Sequence, residues 1–252
     1  MEKNPEYNRY VSFIRCQLTP EKGVEAGKKR TCVKPVITVT RQTGSGGHLF
    51  ANKLAEYLQN RVPTRCSWAV FDQNLVEKVL EEHNLPKEFA KYMPEDRNSL
   101  INDMVEELLG LHPPSWELVR QTTETILHLA HAGNVIIVGR AANVITQKMP
   151  NTFHIRLVGS FERRVERIMR LGNMSRKAAE NFVKKEDEAK IKYLKHYFNE
   201  NPENPLLYHF IINTDLIEPE EAAIYVGDAI IKRFKLIPEK AEEETLPTPM
   251  LP

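Results

Sequence analysis

Apolar positions along this chain switch repeatedly between short continuous runs and a three-and-four spacing. Val36, Ile37 and Val39, alternating with Thr38 and Thr40, suit a buried strand, and Leu49, Phe50, Leu54, Tyr57 and Leu58 then recur at helical spacing. Arg65 to Phe71 reads as a second strand, followed by the helical pattern Leu75, Val76, Val79, Leu80. Ser99 to Leu109 looks helical, Pro113 and Pro114 break the chain, and Ser115 to His131 predicts a long helix with Ser115 as N-cap and Gly133 past its end. Val135 to Val138 is the unbroken apolar run expected of a strand buried on both faces of a parallel sheet. Phe153 to Val158 and Tyr208 to Asn213 are further strands, and Phe161 to Leu171, Ser175 to Phe198 and Glu220 to Phe234 further helices. Strand and helix alternate throughout, so the expected class is α/β with a doubly wound parallel sheet, helices on both sides giving three layers, α/β/α.

The same pattern divides the chain. Residues 1–34 read as a short helix, Tyr7 to Leu18, and a polar linker carrying Lys28, Lys29 and Arg30. Residues 35–236 form one principal domain, with a helical insertion at about 73–132 and a charged arm at about 172–200. The arm sequence RKAAENFVKKEDEAKIKYLKHYF has few large apolar side chains for its length. That composition suits a mobile arm folding over a ligand better than a core helix. Residues 237–252, rich in Glu and Pro, are expected to be disordered.

Charge narrows the classes of partner. With 35 Lys plus Arg against 34 Asp plus Glu the net charge is +1, which predicts no broad nucleic-acid footprint, so any anion site must be local. No apolar run approaches the ~20 residues of a membrane span, and the first residues lack the layout of a secretion signal. Cys16, Cys32 and Cys66 are scattered without C-x-x-C spacing, so reduced thiols in a cytoplasmic protein are expected. Homo-oligomerisation is left open.

The chemistry concentrates between the first strand and first helix. Gly44, Ser45, Gly46 and Gly47 allow a tight turn that aims several N–H groups at one anion, and the helix start adds partial positive charge. Against the Walker A pattern G-x-x-x-x-G-K-[ST], Gly46 fits the second glycine, but Arg41, Gly47 and His48 stand at the first glycine, the lysine and the hydroxyl. Arg140, directly after a buried strand, either points toward the same crevice, where its planar fork could grip phosphate, or forms a salt bridge at the sheet edge; the glycine turn favours the first. Asp72, at a strand end, either caps the next helix or lines the cleft. Arg163, Arg164, Arg167 and Arg170 share one helix and cannot all face one ligand. His128, His131, His154, His196 and His209 show no shared face or acid partner, so no structural metal is predicted.

Taken in order, ITVTRQTGSGGHLFANKLAEYL, FDQNLVEKV, NVIIVGRAANVI, FHIRLVGSFERRVERI and the charged arm ending YHFIINTDLI resemble the cytidylate kinase-like family of P-loop nucleoside monophosphate kinases, over roughly residues 36–234. The family pattern often reads S-R-x-x-G-S-G-G-R, which also lacks the Walker lysine. The resemblance implies a P-loop kinase fold with a helical lid, ATP and Mg2+ as cofactors, and transfer of a phosphoryl group to a nucleoside monophosphate such as CMP or dCMP. It implies that Thr43, Gly44, Ser45, Gly46, Gly47 and His48 hold the ATP phosphates, with Arg41 replacing the missing cation. Asp72 and Arg140 fall on the acceptor side. Arg41, Arg140 and Lys190 become the catalytic cations, and Arg176, Lys184, Lys185 and Lys190 the charges of the lid. Lysines supply charge without the bidentate fork. Mg2+ would be held through the nucleotide, with Thr43, Ser45 or Asp72 as the protein groups open to it. Two other readings stay open: a nucleotide-binding regulatory module, and a kinase for a different small acceptor.

Overall fold

The computed structural model describes residues 33–72 and 116–237, together with Phe13, Cys16, Ile101, Met104, Val105 and Leu108. The predicted linker, the helix after Asp72, Ser115 and the terminal tail lie outside the described residues. Strands β1 (Val36–Arg41), β2 (Ala69–Phe71), β3 (Val135–Val138), β4 (Thr152–Val158) and β5 (Phe210–Asn213) form one sheet. Its order is β2-β3-β1-β4-β5 and every pairing is parallel, in agreement with the expected fold class. Strands β2 and β5 are shorter than the sequence pattern suggests, because only their last residues pair with a neighbour.

Helices connect the strands: α1 (Gly47–Arg61), α2 (Glu117–Ala132), α3 (Ala142–Ile145), α4 (Phe161–Gly172), α5 (Arg176–Phe198) and α6 (Pro219–Phe234). Side-chain alternation along the strands sorts the core into two layers. Ile37, Val39, Ile136, Val138, Ile155 and Leu157 pack with Phe50, Leu54 and Leu58 of α1 and Ala222, Val226 and Ile230 of α6. Val36, Val135 and Ile137 face the other way, onto Ile126, Leu127 and Ala130 of α2 and Val144 of α3. A fully buried Leu or Phe contributes about 1.5–3 kcal/mol by leaving water. These layers therefore hold the carboxyl ends of β1 and β3 side by side, which positions the site.

Two features correct the sequence reading. Cys16 and Cys66 are joined by a disulfide, not left as reduced thiols. Phe13 is buried edge-to-face against Phe71, 5.8 Å between ring centres, and this contact carries Cys16 to the approach of β2. Fifty residues of separation conceal that proximity in the sequence. The sequence shows no shared face among the histidines, yet His154 and His209 meet, their rings 5.2 Å apart, with His209 Nδ1 accepting the His154 N–H at 3.0 Å. Among the described residues no three His, Cys, Asp or Glu side chains could hold a metal.

Candidate active site

The glycine turn begins where β1 stops. Gly44 and Gly46 both have φ of +84°, a conformation that side chains rarely tolerate. A Cβ on Gly44 would fall 2.5 Å from the Arg164 carbonyl oxygen, and one on Gly46 2.6 Å from Pro219. The turn is therefore clamped between α4 and the start of α6. Gly46 caps α1 with no side-chain oxygen, and no acid lies in the first turn, so the helix start is left electropositive for a ligand. His48 instead reaches outward and pairs with Asp72 at 3.3 Å. The Ser45 hydroxyl turns inward and donates to the Gln42 carbonyl at 2.8 Å, and the residue is fully buried.

Arg41 lies beside residue 47, the position of the Walker lysine. A Cβ at Gly47 would meet Arg41 Cγ at 2.9 Å, and one at Gly139 would meet Arg41 Nη1 at 2.1 Å. Its stem therefore fills the room beside residue 47, and its guanidinium lies over residue 139. Burial and the nearby Arg140 charge oppose its ionisation, against help from Asp72, Glu186 and Asp187, and together they pull its pKa down from the usual arginine range. Gly139, Arg140 and Ala141 follow with φ of 84°, 53° and 55°, three left-handed residues in succession. Such a bend is costly for the two non-glycine residues. It turns the chain from β3 into α3 within one step and leaves Arg140 on the wall of a cavity.

That cavity, of about 380 Å³, lies between the strand ends and α5. Arg41, Arg140 and Lys190 line it together. Lys190 is also buried enough for desolvation to lower its pKa, with Arg41 adding to the effect and Asp187 resisting it. Tyr193 and Leu194 of α5 supply an apolar side, and Thr40, Asn143, Arg156 and Glu203 a polar one. Arg156 is only 5% exposed, ion-paired to Glu203 and 3.4 Å from the Tyr208 hydroxyl. The Thr40 hydroxyl donates to Asn143 Oδ1 at 3.2 Å. None of Asn143, Arg156, Tyr193 and Glu203 was singled out from sequence, although Arg156 carries a signal, a charge in the middle of an apolar strand.

Other expected residues stand apart. Asp72 is not among the residues that line the cavity; it pairs with His48 at the start of α1, and its charge favours the ionised form of Arg41 from there. Arg176 pairs with Glu180 on the helix surface, and Lys184 lies over the Phe161 ring, 5.3 Å from its centre. Lys185 is exposed and does not line the cavity. Of the four predicted lid charges, only Lys190 reaches the site. On α4, Arg163 and Arg170 are exposed, whereas Arg164 and Arg167 bond the Thr43 and Gly44 carbonyls at 3.0 and 2.8 Å. Arg164 and Arg167, one turn apart, share the side of α4 that faces the glycine turn, and by Arg170 that side has rotated away.

A parallel sheet of this order, a glycine turn entering a helix, and three cations gathered at the strand ends define a P-loop kinase-like protein. The cytidylate kinase-like family profile matches residues 36–216, and the chain belongs to that family. A crystal structure of an uncharacterized protein from Eubacterium ventriosum ATCC 27560 is similar in fold, with 23% identity and a TM-score of 0.54 over 80% of this chain and 98% of that one. A shikimate kinase from Acinetobacter baumannii, solved with shikimate, is less similar, with 13% identity and a TM-score of 0.44 over 81% and 97% of the two chains. A uronate isomerase from Corynebacterium glutamicum is 26% identical over 120 residues, which is 48% of this chain and 23% of the isomerase. The chain thus spans less than a quarter of that curated relative.

Proposed function

We propose that the protein transfers a phosphoryl group from ATP to a nucleoside monophosphate, with CMP and dCMP the first acceptors to try. The observation that supports this reading most is the convergence of Arg41, Arg140 and Lys190 on one cavity at the strand ends, which reaches Gln42 at the entry to the glycine turn but not Thr43 to His48. Phosphoryl transfer needs alignment and charge neutralisation more than a nucleophilic side chain. Bound ATP supplies the phosphoryl group, and its Mg2+ neutralises phosphate oxygens. The residues fit such a guest: Gly44, Gly46, Gly47 and His48 offer backbone N–H groups, and the first turn of α1 carries no acid of its own. Arg41 would act where a P-loop lysine acts, Arg140 would orient the acceptor phosphate, and Tyr193 with Leu194 would shield the cavity from water.

A mobile lid on this reading is α5, which docks through Ala179 and Val183 at one end and Leu194 at the other. A cytoplasmic site of action fits the nucleotide supply, and the Cys16–Cys66 disulfide stands against it, because cytosolic disulfides are rare. Counting free thiols in protein extracted under alkylating conditions checks this.

A coupled ADP-release assay with ATP, Mg2+ and a panel of nucleoside monophosphates tests the function. Turnover stimulated by CMP or dCMP is expected. ATP binding without stimulation by any nucleotide acceptor would favour the regulatory module or another small acceptor. Arg41→Ala should reduce kcat/KM by about 1,000-fold, in the range of a lost phosphate-stabilising arginine. An unchanged ATP dissociation constant for that variant would remove Arg41 from the phosphate site.

A further inference from the structure

The charged helix α5 sends a carboxylate into the glycine turn. Asp187 Oδ1 accepts the Thr43 N–H at 2.7 Å and the Thr43 hydroxyl at 2.6 Å. Its other oxygen accepts from Arg164 Nη1 at 2.5 Å. Lys190 Nζ lies 3.5 Å from Asp187 Oδ1 and donates to the Thr43 hydroxyl oxygen at 2.5 Å. Arg164, itself buried, is further fixed by Nε to the Gly159 carbonyl and Nη1 to the Thr43 carbonyl, both at 3.0 Å. Burial raises the Asp187 pKa, but the Thr43 bonds, Lys190 and Arg164 outweigh it and hold the carboxyl below its usual range.

A backbone N–H, a hydroxyl, a guanidinium and an ammonium converging on one point are the donor set that binds a phosphate oxygen. The carboxylate oxygens stand where those of a phosphate would be met. We propose that Thr43, Arg164 and Lys190 form a phosphate-oxygen site whose resident occupant is Asp187, displaced when the terminal phosphate of a nucleotide arrives. This rests on the reading of the glycine turn as a nucleotide-phosphate site, and is independent of which acceptor is used.

The displacement has a direction. Two anions cannot share these donors, and a phosphate with more than one negative charge competes better than a single carboxylate. Once Asp187 leaves, Lys190 is released from its bridge through Thr43 and is free to follow the phosphate. Tyr193 and Leu194 lie on the same helix within two turns of Asp187 and line the cavity. Arrival of the donor phosphate is thereby transmitted to the wall the acceptor meets.

Tripolyphosphate is the suitable probe, because it carries linked phosphates without a base. Calorimetry on the full chain should show Asp187→Asn binding it about tenfold more tightly than wild type, and Lys190→Met more weakly. Equal or weaker binding by Asp187→Asn overturns the proposal. Should that variant fold poorly, wild-type protein labelled for NMR gives the same answer: tripolyphosphate at saturation should shift the Asp187 carboxyl carbon and the Thr43 amide, and unmoved resonances overturn it. Tripolyphosphate that does not bind wild type at all defeats this proposal and the nucleotide-phosphate reading together. Tighter binding by Asp187→Asn in a protein that no nucleoside monophosphate stimulates supports the resident anion while defeating the kinase reading.

Discussion

On the side of the sheet covered by α1 and α6, strand after strand presents an aliphatic side chain: Ile37, Val39, Ile136, Val138, Ile155 and Leu157. On the other side β1 presents Thr38 and Thr40 and, in register beside them, β4 presents His154 and Arg156. His154 is hydrogen-bonded to the Thr38 hydroxyl at 2.8 Å through Nδ1 and to the Thr152 hydroxyl at 3.3 Å through Nε2. Arg156 and Thr40 go on into the cavity wall. Buried polar groups cost stability unless they are hydrogen-bonded. The first side therefore gives the sheet its rigidity, and the second gives up part of its apolar burial to hold oriented donors and acceptors beneath a ligand space. The difference teaches where to look in such a sheet: for positions at which a buried strand breaks its own aliphatic rule.

Substitutions can break that contrast. The largest effect is expected from Phe50→Ala, which empties a fully buried position on the aliphatic side and should cost about 3–5 kcal/mol. Thermal or urea unfolding would measure the loss, and activity per folded molecule should stay near wild type. If ligand affinity falls as steeply as stability, the two sides are not separable.

His154 tests the polar side through pH. Burial, helped by His209 and the Arg233 charge, lowers its pKa to about 4. The unfolded histidine, near 6.5, takes up a proton first as pH falls. Stability should be complete above about pH 6.5 and decline toward pH 4, by roughly 3 kcal/mol from this group. His154→Gln should flatten the dependence of unfolding free energy on pH over that window. An unaltered slope would place the titration elsewhere.

Smaller and more local effects should follow at the cavity. Arg140→Ala is expected to raise the acceptor KM by about 30-fold, the scale of a lost charged hydrogen bond, with the ATP KM within about twofold. Equal losses for both would move Arg140 off the acceptor side. Gly47→Lys brings back the Walker residue, yet its Cβ would collide with the Arg41 stem 2.9 Å away. A reduction in ATP affinity of about tenfold is expected, whereas tighter binding would show that Arg41 yields without loss.

The aliphatic side was legible in the sequence because it depends on periodicity, and Val135 to Val138 fall where the apolar run predicts. Gly133 ends α2 as expected, with φ of 72°. The glycine turn, Arg41 and Arg140 were legible because each sits beside a strand end that the pattern marks. Asp187, Asn143 and Glu203 were not, since their meeting depends on how α5 crosses the strand ends, a tertiary fact with no local period. Ser45 looked available to a metal until the structure turned its hydroxyl inward. The lid charges were hard to tell apart for a related reason: Arg176 opens α5 about four turns before Lys190, and Lys184 lies on another side of the helix, so that of the three only Lys190 lines the cavity.

The bond between Cys16 and Cys66 closes a covalent ring that contains β1, the glycine turn and α1. A protease that cuts once between those cysteines opens the ring without releasing either fragment. Nicked protein should therefore run as one band on a denaturing gel without reductant and as two bands with it. The strand and turn that open the domain stay leashed to the rest of the chain after such a cut.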